Sequence, residues 1–467
     1  MMKKLQSSLV ALWLLGLCAA IHWVGPARAG GFTPCDAPFV FEGSAANIVP
    51  IEFFATASDA RTATSRRLEE LQDAAQHMAW LFKLDSWHQP TYGSLGVVTH
   101  MFLGRKCPPD EVLEGILRGG IGAPMPPGQI LLVLQGRIYI ERGNILLQSR
   151  LRGYRRNKRS YGDTKHLTAY FQTEYYGMQV GQSADPMRSR LPTLDITFSP
   201  RILTYDDLAQ IDDVFADASR VFDQPSTDSG SQELRFERGR PFAFSVRIMK
   251  EGEWIQIEDF FSDMRGFIKT NRDASDFLHE RLPELDFLNG MLGYLRLAQA
   301  QDDIHGYPPP PPGAADQARS SLDRFLKRER SQDDTEARAL AHALIGIISS
   351  SDGGEWWTAS RQAFIDAATL APFNSDYRNL LGMTNSYICC NERPLGEFGD
   401  PSVNFADSLS LDPENRDSLN NLNTYLSLLD ELARRDRRPE GLNFARLNER
   451  KAVVERVVTG LEASDRQ

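Results

Sequence analysis

Apolar and polar residues follow two different periods along the chain, and they predict different elements in its two halves. Residues 47–54 (NIVPIEFF) are typical of a β-strand, whereas residues 62–84 carry apolar residues three or four apart and predict an amphipathic helix. A second strand is expected over 95–102, followed by a helix from Pro108 to Leu117. Residues 30–205 are therefore predicted to form a mixed α/β domain.

The clearest local pattern in this half covers residues 130–152. Apolar residues alternate on both sides of Arg142-Gly143-Asn144, where glycine can adopt the positive φ of a tight turn. This predicts a β-hairpin. The residues expected to line its buried faces are Val133, Ile138, Ile140, Ile145, Leu147 and Leu151.

The chain from Asp276 onward has the helical period. Apolar stripes predict helices at 285–300, 314–327, 335–348, 358–370, 376–387, 404–411 and 416–432. Pro308 to Pro312 form a stiff segment between two of these helices, which serves either as a spacer or as a docking segment for an aromatic groove.

The amino terminus has the three parts of a secretory signal. Lys3 and Lys4 precede an apolar run over 9–24, and Ala27-Arg28-Ala29 supplies the small residues of a cleavage site. We expect cleavage after Ala29 and a periplasmic or secreted protein. An uncleaved membrane anchor is the alternative, because the apolar run is only slightly shorter than a membrane span.

Charge and cysteine content narrow the classes of function. Residues 1–29 contain three basic residues and no acidic one, so their removal lowers the formal net charge from -10 to -13. Such an acidic chain argues against general nucleic-acid binding.

In an oxidising compartment, Cys35 and Cys107 are expected to form a disulfide. Cys389 and Cys390 could bridge to each other, stay free or pair with another chain.

Sequence motifs for catalysis are not found. The chain has no H-E-x-x-H, phosphate loop or G-x-S-x-G, so we predict no catalytic residue, metal or cofactor. His100 and Cys107 could be imagined as a nucleophilic pair, but a bridged Cys107 has no thiolate. The Asp-Asp pairs near helix starts are expected to be caps and solvated faces.

One basic run stands out in this acidic chain. It either forms a solvated loop after the hairpin or contacts an anionic envelope component or acidic partner. Its six charges fall within ten residues, with Tyr154 and Tyr161 interleaved: Arg150, Arg152, Arg155, Arg156, Lys158 and Arg159.

The first half resembles the TolB-like amino-terminal α/β domain of bacterial envelope proteins. The likeness rests on residues 47–54 and on the hairpin pattern Leu134-x-Gly136-Arg137-Ile138, Gly143 and Gln148-x-Arg150-Leu151. It implies an interaction role without chemistry.

Residues 214–271 resemble a bacterial SH3-like domain. The matching features are Val221 with Pro225-Ser226, Arg238-Gly239, Gly252-x-Trp254-Ile255-x-Ile257 and Gly266-Phe267-Ile268. The resemblance implies five short strands around a small barrel that binds a peptide or a peptidoglycan strand, with Trp254 and Phe267 as candidate binding or core residues. The family often has tryptophan at the position of Phe267, so this sequence departs from the family pattern where an aromatic ligand platform would lie.

Two segments of the second half resemble tetratricopeptide repeats. Both contain Leu-x-Pro-x-Asn between two helices, with Pro372 and Pro413 41 residues apart and an insertion near 389–400. Proline ends the preceding helix, and such arrays grip a peptide or a helix.

Together these patterns predict a multidomain α+β protein. Its predicted parts are a signal peptide (1–29), a mixed α/β domain (30–205), an SH3-like barrel (214–271) and a tetratricopeptide-like helical domain (276–467). The predicted function is a non-enzymatic envelope scaffold or adaptor that binds envelope proteins or peptides, with peptidoglycan as a further candidate. Membrane contact is expected only through an uncleaved signal or peripherally. The alternatives are a cell-wall hydrolase, with its site near His100 and Cys107, and a redox sensor built on Cys389 and Cys390.

Overall fold

The computed structural model describes thirteen segments of the chain and the single residues 310, 449, 452 and 456. The segments are 46–57, 65–88, 130–156, 164–166, 170–173, 187–234, 244–249, 253–259, 264–269, 272–300, 312–350, 356–391 and 399–434. The signal-type segment, the predicted strand at 95–102, the helix at 108–117, Cys35 and Cys107 lie outside these residues. No helix of the described segments is long and apolar enough to cross a bilayer.

A mixed sheet and helices make this an α+β protein. Strand β1 (Ala46–Ala57) pairs in parallel with β2 (Ile130–Glu141), and helix α1 (Ser65–His88) packs on both strands. Strand β3 (Asn144–Arg156) forms the predicted hairpin with β2. Arg142 and Gly143 both have positive φ, 50° and 82°, as a two-residue type I′ turn requires.

The sheet continues on the far side of β3 with short antiparallel strands. They are β4 (Thr164–His166), β7 (Asp195–Thr197) and β8 (Arg201–Leu203), all paired with β3. Strands β5 (Tyr170–Thr173) and β6 (Met187–Arg190) form a separate two-stranded ribbon. Of the predicted hairpin core, Ile138, Ile140, Ile145, Leu147 and Leu151 are buried, and the side chain of Val133 lies outside the described residues.

A helix and a second sheet follow. Helix α2 (Tyr205–Ala218) begins at a capping box, in which Thr204 and Asp207 satisfy each other's backbone N–H. The strands are β9 (Arg220–Phe222), β10 (Ser231–Glu233), β11 (Phe244–Met249), β12 (Trp254–Asp259) and β13 (Arg265–Lys269), in the antiparallel order β10-β9-β13-β12-β11. Residues 214–218 thus belong to a helix, and the sheet begins at Arg220.

Glycine permits the first and last strands of this run to meet. A Cβ on Gly266 of β13 would lie 2.5 Å from Val221 Cγ1 and 2.7 Å from the Phe222 carbonyl oxygen of β9. Trp254 is buried and meets the Phe222 ring edge-on, with centroids 5.5 Å apart. It fills the interior of this small sheet, whereas Phe267 is half-buried.

The rest of the described chain is helical, and each of the seven helices predicted between residues 285 and 432 is present. Pro401 starts α9 three residues earlier than predicted, because proline is favoured in a first turn and Asp400 caps the Ser402 N–H. The helices are α3 (Arg272–Arg281), α4 (Glu284–Ala300), α5 (Ala314–Lys327), α6 (Thr335–Ser349), α7 (Trp356–Leu370), α8 (Ser375–Asn391), α9 (Pro401–Leu411) and α10 (Arg416–Arg434).

The predicted modules share one core. Buried apolar residues form a continuous cluster from Leu71 of α1 through both sheets to Leu381 of α8. A second cluster lies among α8, α9 and α10, and it includes Met187 of β6. Strand β6 therefore packs on the far end of the helical array, about two hundred residues away in sequence.

Candidate peptide-binding groove

The Leu-x-Pro-x-Asn turns position the polar residues of α8 and α10. In each turn the asparagine caps the helix that follows: Asn374 Oδ1 accepts from the Asp376 N–H, and Asn415 Oδ1 from the Ser418 N–H. Asn415 also donates to Ser375 Oγ and Asp376 Oδ1, both at 3.1 Å. The two turns are thus tied together, which fixes α10 beside α8.

Strand β6 lies in the cleft between these helices, and one side-chain amide binds its backbone twice. Asn421 Oδ1 accepts from the Arg188 N–H at 3.1 Å, and Asn421 Nδ2 donates to the Arg188 carbonyl oxygen at 2.7 Å. Asn379 of α8 donates to the same oxygen at 3.1 Å. We call the cleft lined by Asp376, Asn379, Asp412, Asp417 and Asn421 the asparagine groove.

Hydrogen bonds within the asparagine groove fix the orientation of its amides. Asn421 Nδ2 donates to Asn379 Oδ1 at 2.9 Å, so both amides hold the orientation that meets a peptide backbone. Asp417 accepts a hydrogen bond from the Arg190 N–H. Backbone groups two residues apart, at 188 and 190, therefore face α10, as the period of an extended strand requires.

Side chains of β6 alternate between burial and exposure. Met187 and Ser189 are fully buried, whereas Arg188 is exposed. Met187 belongs to the apolar cluster of Met383, Phe405, Leu422 and Tyr425, among others. Hydrogen bonds to its main chain hold this strand, and alternate side chains enter pockets. Proteins recognise an extended peptide that adds to a sheet in the same way.

Arg190 carries the charge of the segment. Its Nε donates to Asp376 Oδ1 at 3.0 Å and its Nη2 to Asp412 Oδ2 at 2.5 Å. Partial burial opposes the charge, but the two carboxylates outweigh it and raise the pKa of Arg190. Burial raises the pKa of Asp376 despite Arg190 beside it. The arginine is thus the counterion of a nearly buried acid.

The predicted basic run does not form one exposed surface. Arg150 is half-exposed and makes a two-pronged ion pair with Asp195, with both distances 2.7 Å. Arg152 is buried and donates to Gln135 Oε1 at 2.5 Å. Arg155 and Arg156 lie on β3, but their side chains, like Lys158 and Arg159, are outside the described residues.

A second polar cluster joins α1, α3 and α4 around His279. Its Nε2 lies 3.1 Å from Asp85 Oδ2 and its Nδ1 3.1 Å from Asp286 Oδ1. Burial opposes the charge, but both carboxylates outweigh it and raise the pKa of His279 to about 9. Ser275 Oγ donates to Asp85, not to the histidine. With both ring nitrogens held by carboxylates, this imidazolium has no free base for a nucleophile, and it serves as a buried cation.

The other predicted site residues fall into two groups. His100, Cys35 and Cys107 lie outside the described residues, and so does the side chain of Cys390. Cys389 is buried with its Sγ 3.7 Å from Tyr425 Oη. Among the described residues, no group of three or more His, Cys, Asp or Glu side chains is arranged to hold a metal ion.

Sequence reasoning missed the asparagine groove and strand β6. One signal was available: Asp376 and Asp417 each stand two residues after the asparagine of their Leu-x-Pro-x-Asn turn. A polar residue repeated at one position of two helices, beside otherwise apolar stripes, indicates a shared task.

Comparison with known proteins does not identify a relative. No protein-family model, curated protein or solved structure matches this chain.

Proposed function

We propose that this protein is a non-enzymatic scaffold or adaptor of the bacterial cell envelope, exported by its amino-terminal signal. Its helical array, α4 to α10, binds extended polypeptide through the asparagine groove. The tetratricopeptide-like and SH3-like resemblances are part of this proposal, as is a TolB-like character for the first sheet.

The observation that carries the proposal is the double hydrogen bond of Asn421 to the backbone of Arg188. An amide that engages both the N–H and the carbonyl of one residue replaces the pairing that a neighbouring strand would supply, and it is independent of the side chain it faces. Asn379 donates to the same carbonyl oxygen, and Asp417 extends the contact along the strand to the Arg190 N–H. This supports a groove suited to extended chains.

The five-stranded sheet supports a second interaction module. Its first strand, β9, pairs with its last, β13, and β11, β12 and β13 follow one another as antiparallel neighbours. Such connectivity suits a small barrel. Trp254, buried in its interior, is a core residue in this proposal and contributes no exposed ligand platform.

Photocrosslinking in cells tests the proposal. The photoreactive residue is placed at exposed position 420 of α10, which is three residues from Asp417 and next to Asn421. The control carries the same photoreactive residue at position 202 of β8, where Ile202 is exposed. We expect a defined envelope protein to be crosslinked from position 420 and not from 202. Mature chain in the cytosol, or no crosslinked protein from position 420, would contradict the proposal.

A further inference from the structure

Strand β6 occupies the asparagine groove in the manner of a ligand. Its four residues come from the α/β half of the chain, and they use the backbone-directed contacts, an apolar pocket and a charged pocket at once. We infer that Met187–Arg190 is an internal ligand and that a partner peptide of the same chemistry displaces it. This inference rests on the proposed function. The partner is an extended segment that has an arginine, a small residue directly before it and an apolar residue three positions before it.

The spacing follows from the two side-chain pockets. Met187 is fully buried in the apolar cluster among α8, α9 and α10. At the other end of the strand, Arg190 reaches Asp376 in the first turn of α8 and Asp412 in the turn that precedes α10. An extended chain rises about 3.3 Å per residue, so three residues separate the pockets by about 10 Å. Only residues three apart reach both pockets.

The position between the pockets accepts only a small side chain. Ser189 is fully buried, and its Oγ lies 3.4 Å from the Asp376 carbonyl oxygen and 3.1 Å from that of Arg190. At 188 the side chain is exposed, the carbonyl oxygen accepts from Asn379 and Asn421, and the positive charge of Arg188 interacts with Asp417. In a partner, position 188 therefore tolerates exposed side chains that are not acidic, whereas 187, 189 and 190 are selected more narrowly.

Charge distinguishes the arginine pocket from the rest of the groove. Asp376 has a side chain only 9% exposed and faces Arg190, Asn415 and Asp412. Lysine would bring a single donor group, whereas arginine bonds Asp376 through Nε and Asp412 through Nη2 simultaneously. The pocket therefore favours arginine over lysine.

Covalent connection gives the internal strand its advantage. A tethered segment competes at the effective concentration set by its linker, which is of the order of mM for short flexible linkers. A free peptide binds only the fraction of molecules in which the groove is vacant, so its apparent affinity falls by that fraction. Only a partner with enough affinity to compete with the tethered strand therefore occupies the groove.

The test compares the full chain with a variant whose groove has been vacated. Met187→Asp with Arg190→Asp places carboxylates in the apolar cluster and beside Asp376, which expels the strand and leaves the groove residues unchanged. The probe is a fluorescent peptide with the sequence of residues 184–193, ADPMRSRLPT. We expect it to bind the vacated chain at least about tenfold more tightly than the wild-type chain, measured by fluorescence anisotropy.

Two matched changes locate the binding. In the vacated chain, Asn421→Ala should weaken peptide binding by about tenfold, while Asn420→Ala, at the exposed neighbouring position, should leave it unchanged. A peptide with aspartate in place of the arginine should bind at least about tenfold more weakly, and one with lysine should fall between them. Equal binding of the peptide by the wild-type and vacated chains, or no effect of Asn421→Ala, would overturn the inference.

A second measurement keeps the inference testable should the vacated chain lose its helical circular dichroism. Hydrogen exchange of the Arg188 and Arg190 amides in the wild-type chain should accelerate on addition of excess peptide, since displacement frees both donors. Unchanged exchange under saturating peptide would overturn it. The inference would also be overturned if the wild-type chain formed a dimer and Asn421→Ala dissociated it. In that case the strand of a second copy would fill the groove.

The two proposals fail in different ways. If the crosslinking at position 420 finds a partner but the peptide does not bind the vacated chain, the scaffold function stands and the internal-ligand inference falls. If position 420 finds no partner, the scaffold function itself falls.

Discussion

Single residues show how this protein keeps charges in its interior. His279 is buried between Asp85 and Asp286, and Asp286 also receives Arg324 at 3.0 Å and Arg328 at 3.3 Å. Burial tends to raise the pKa of Asp286, but the cations around it outweigh that effect and lower it. The cluster is thus a compensated network that joins α1, α3, α4 and α5, in which the removal of His279 takes a cation from two buried carboxylates.

The pH dependence of stability should report the histidine directly. Because the pKa of His279 rises from 6.5 to about 9 on folding, its stabilisation is complete below pH 6.5 and is lost as the pH rises through about 9. We expect urea unfolding to show a loss of about 3 kcal/mol between pH 6 and pH 10 that is absent in His279→Gln. His77→Gln, at a histidine paired with the more exposed Asp212, is the control and should keep the loss. A slope that persists in His279→Gln would contradict this assignment.

At the scale of elements, glycines set how closely neighbouring helices approach. A Cβ on Gly382 of α8 would lie 2.6 Å from Phe405 Cε1 of α9, and one on Gly346 of α6 would lie 2.6 Å from Phe364 Cε1 of α7. Both phenylalanines are fully buried. The same glycine–phenylalanine contact therefore recurs between successive helices, and each ring fills the space that a side chain would take.

Gly382→Ala should lower the free energy of unfolding by about 1–3 kcal/mol, because overpacking exceeds the gain of up to about 1 kcal/mol in helix propensity. Phe405→Leu combined with Gly382→Ala should recover part of this loss, since the smaller side chain makes room for the new methyl. Guanidinium unfolding of the two single variants and the double variant measures the coupling. Strictly additive losses would show that the glycine has another role.

At the scale of the whole molecule, Arg201 joins the sheet to the helical array. From β8 it pairs with Glu284 of α4 at 2.8 Å and with Asp334, which precedes α6, at 2.7 Å. Ser149 of β3 donates to Glu284 as well, and Ser199 donates its N–H to Asp334 at 2.6 Å. Burial raises the pKa of Glu284 despite Arg201 beside it. This buried network holds the first sheet against the helical array.

Arg201→Met should destabilise the protein by about 3–5 kcal/mol, because two buried carboxylates lose their counterion. Arg150→Met removes an exposed ion pair of the neighbouring strand and should cost at most about 1 kcal/mol. Denaturant unfolding of both variants gives the comparison, and limited proteolysis should cut Arg201→Met between sheet and helices. Equal losses would contradict the role given to Arg201.

The sequence alone determined the long helices of the second half and the long hairpin, because local patterns decide them. The period of apolar residues predicted every helix from Leu285 to Leu432, and the arginine–glycine turn predicted the hairpin at 130–152, because capping, turn and alternation preferences act between near neighbours. The tertiary structure alone decided which elements meet. Met187–Arg190 is too short to form a pattern, and the buried state of Arg152 arises only from the sheet around it. The asparagine groove likewise exists only when α8, α10 and β6 come together, since the repeated positions of Asp376 and Asp417 do not show which distant strand they meet.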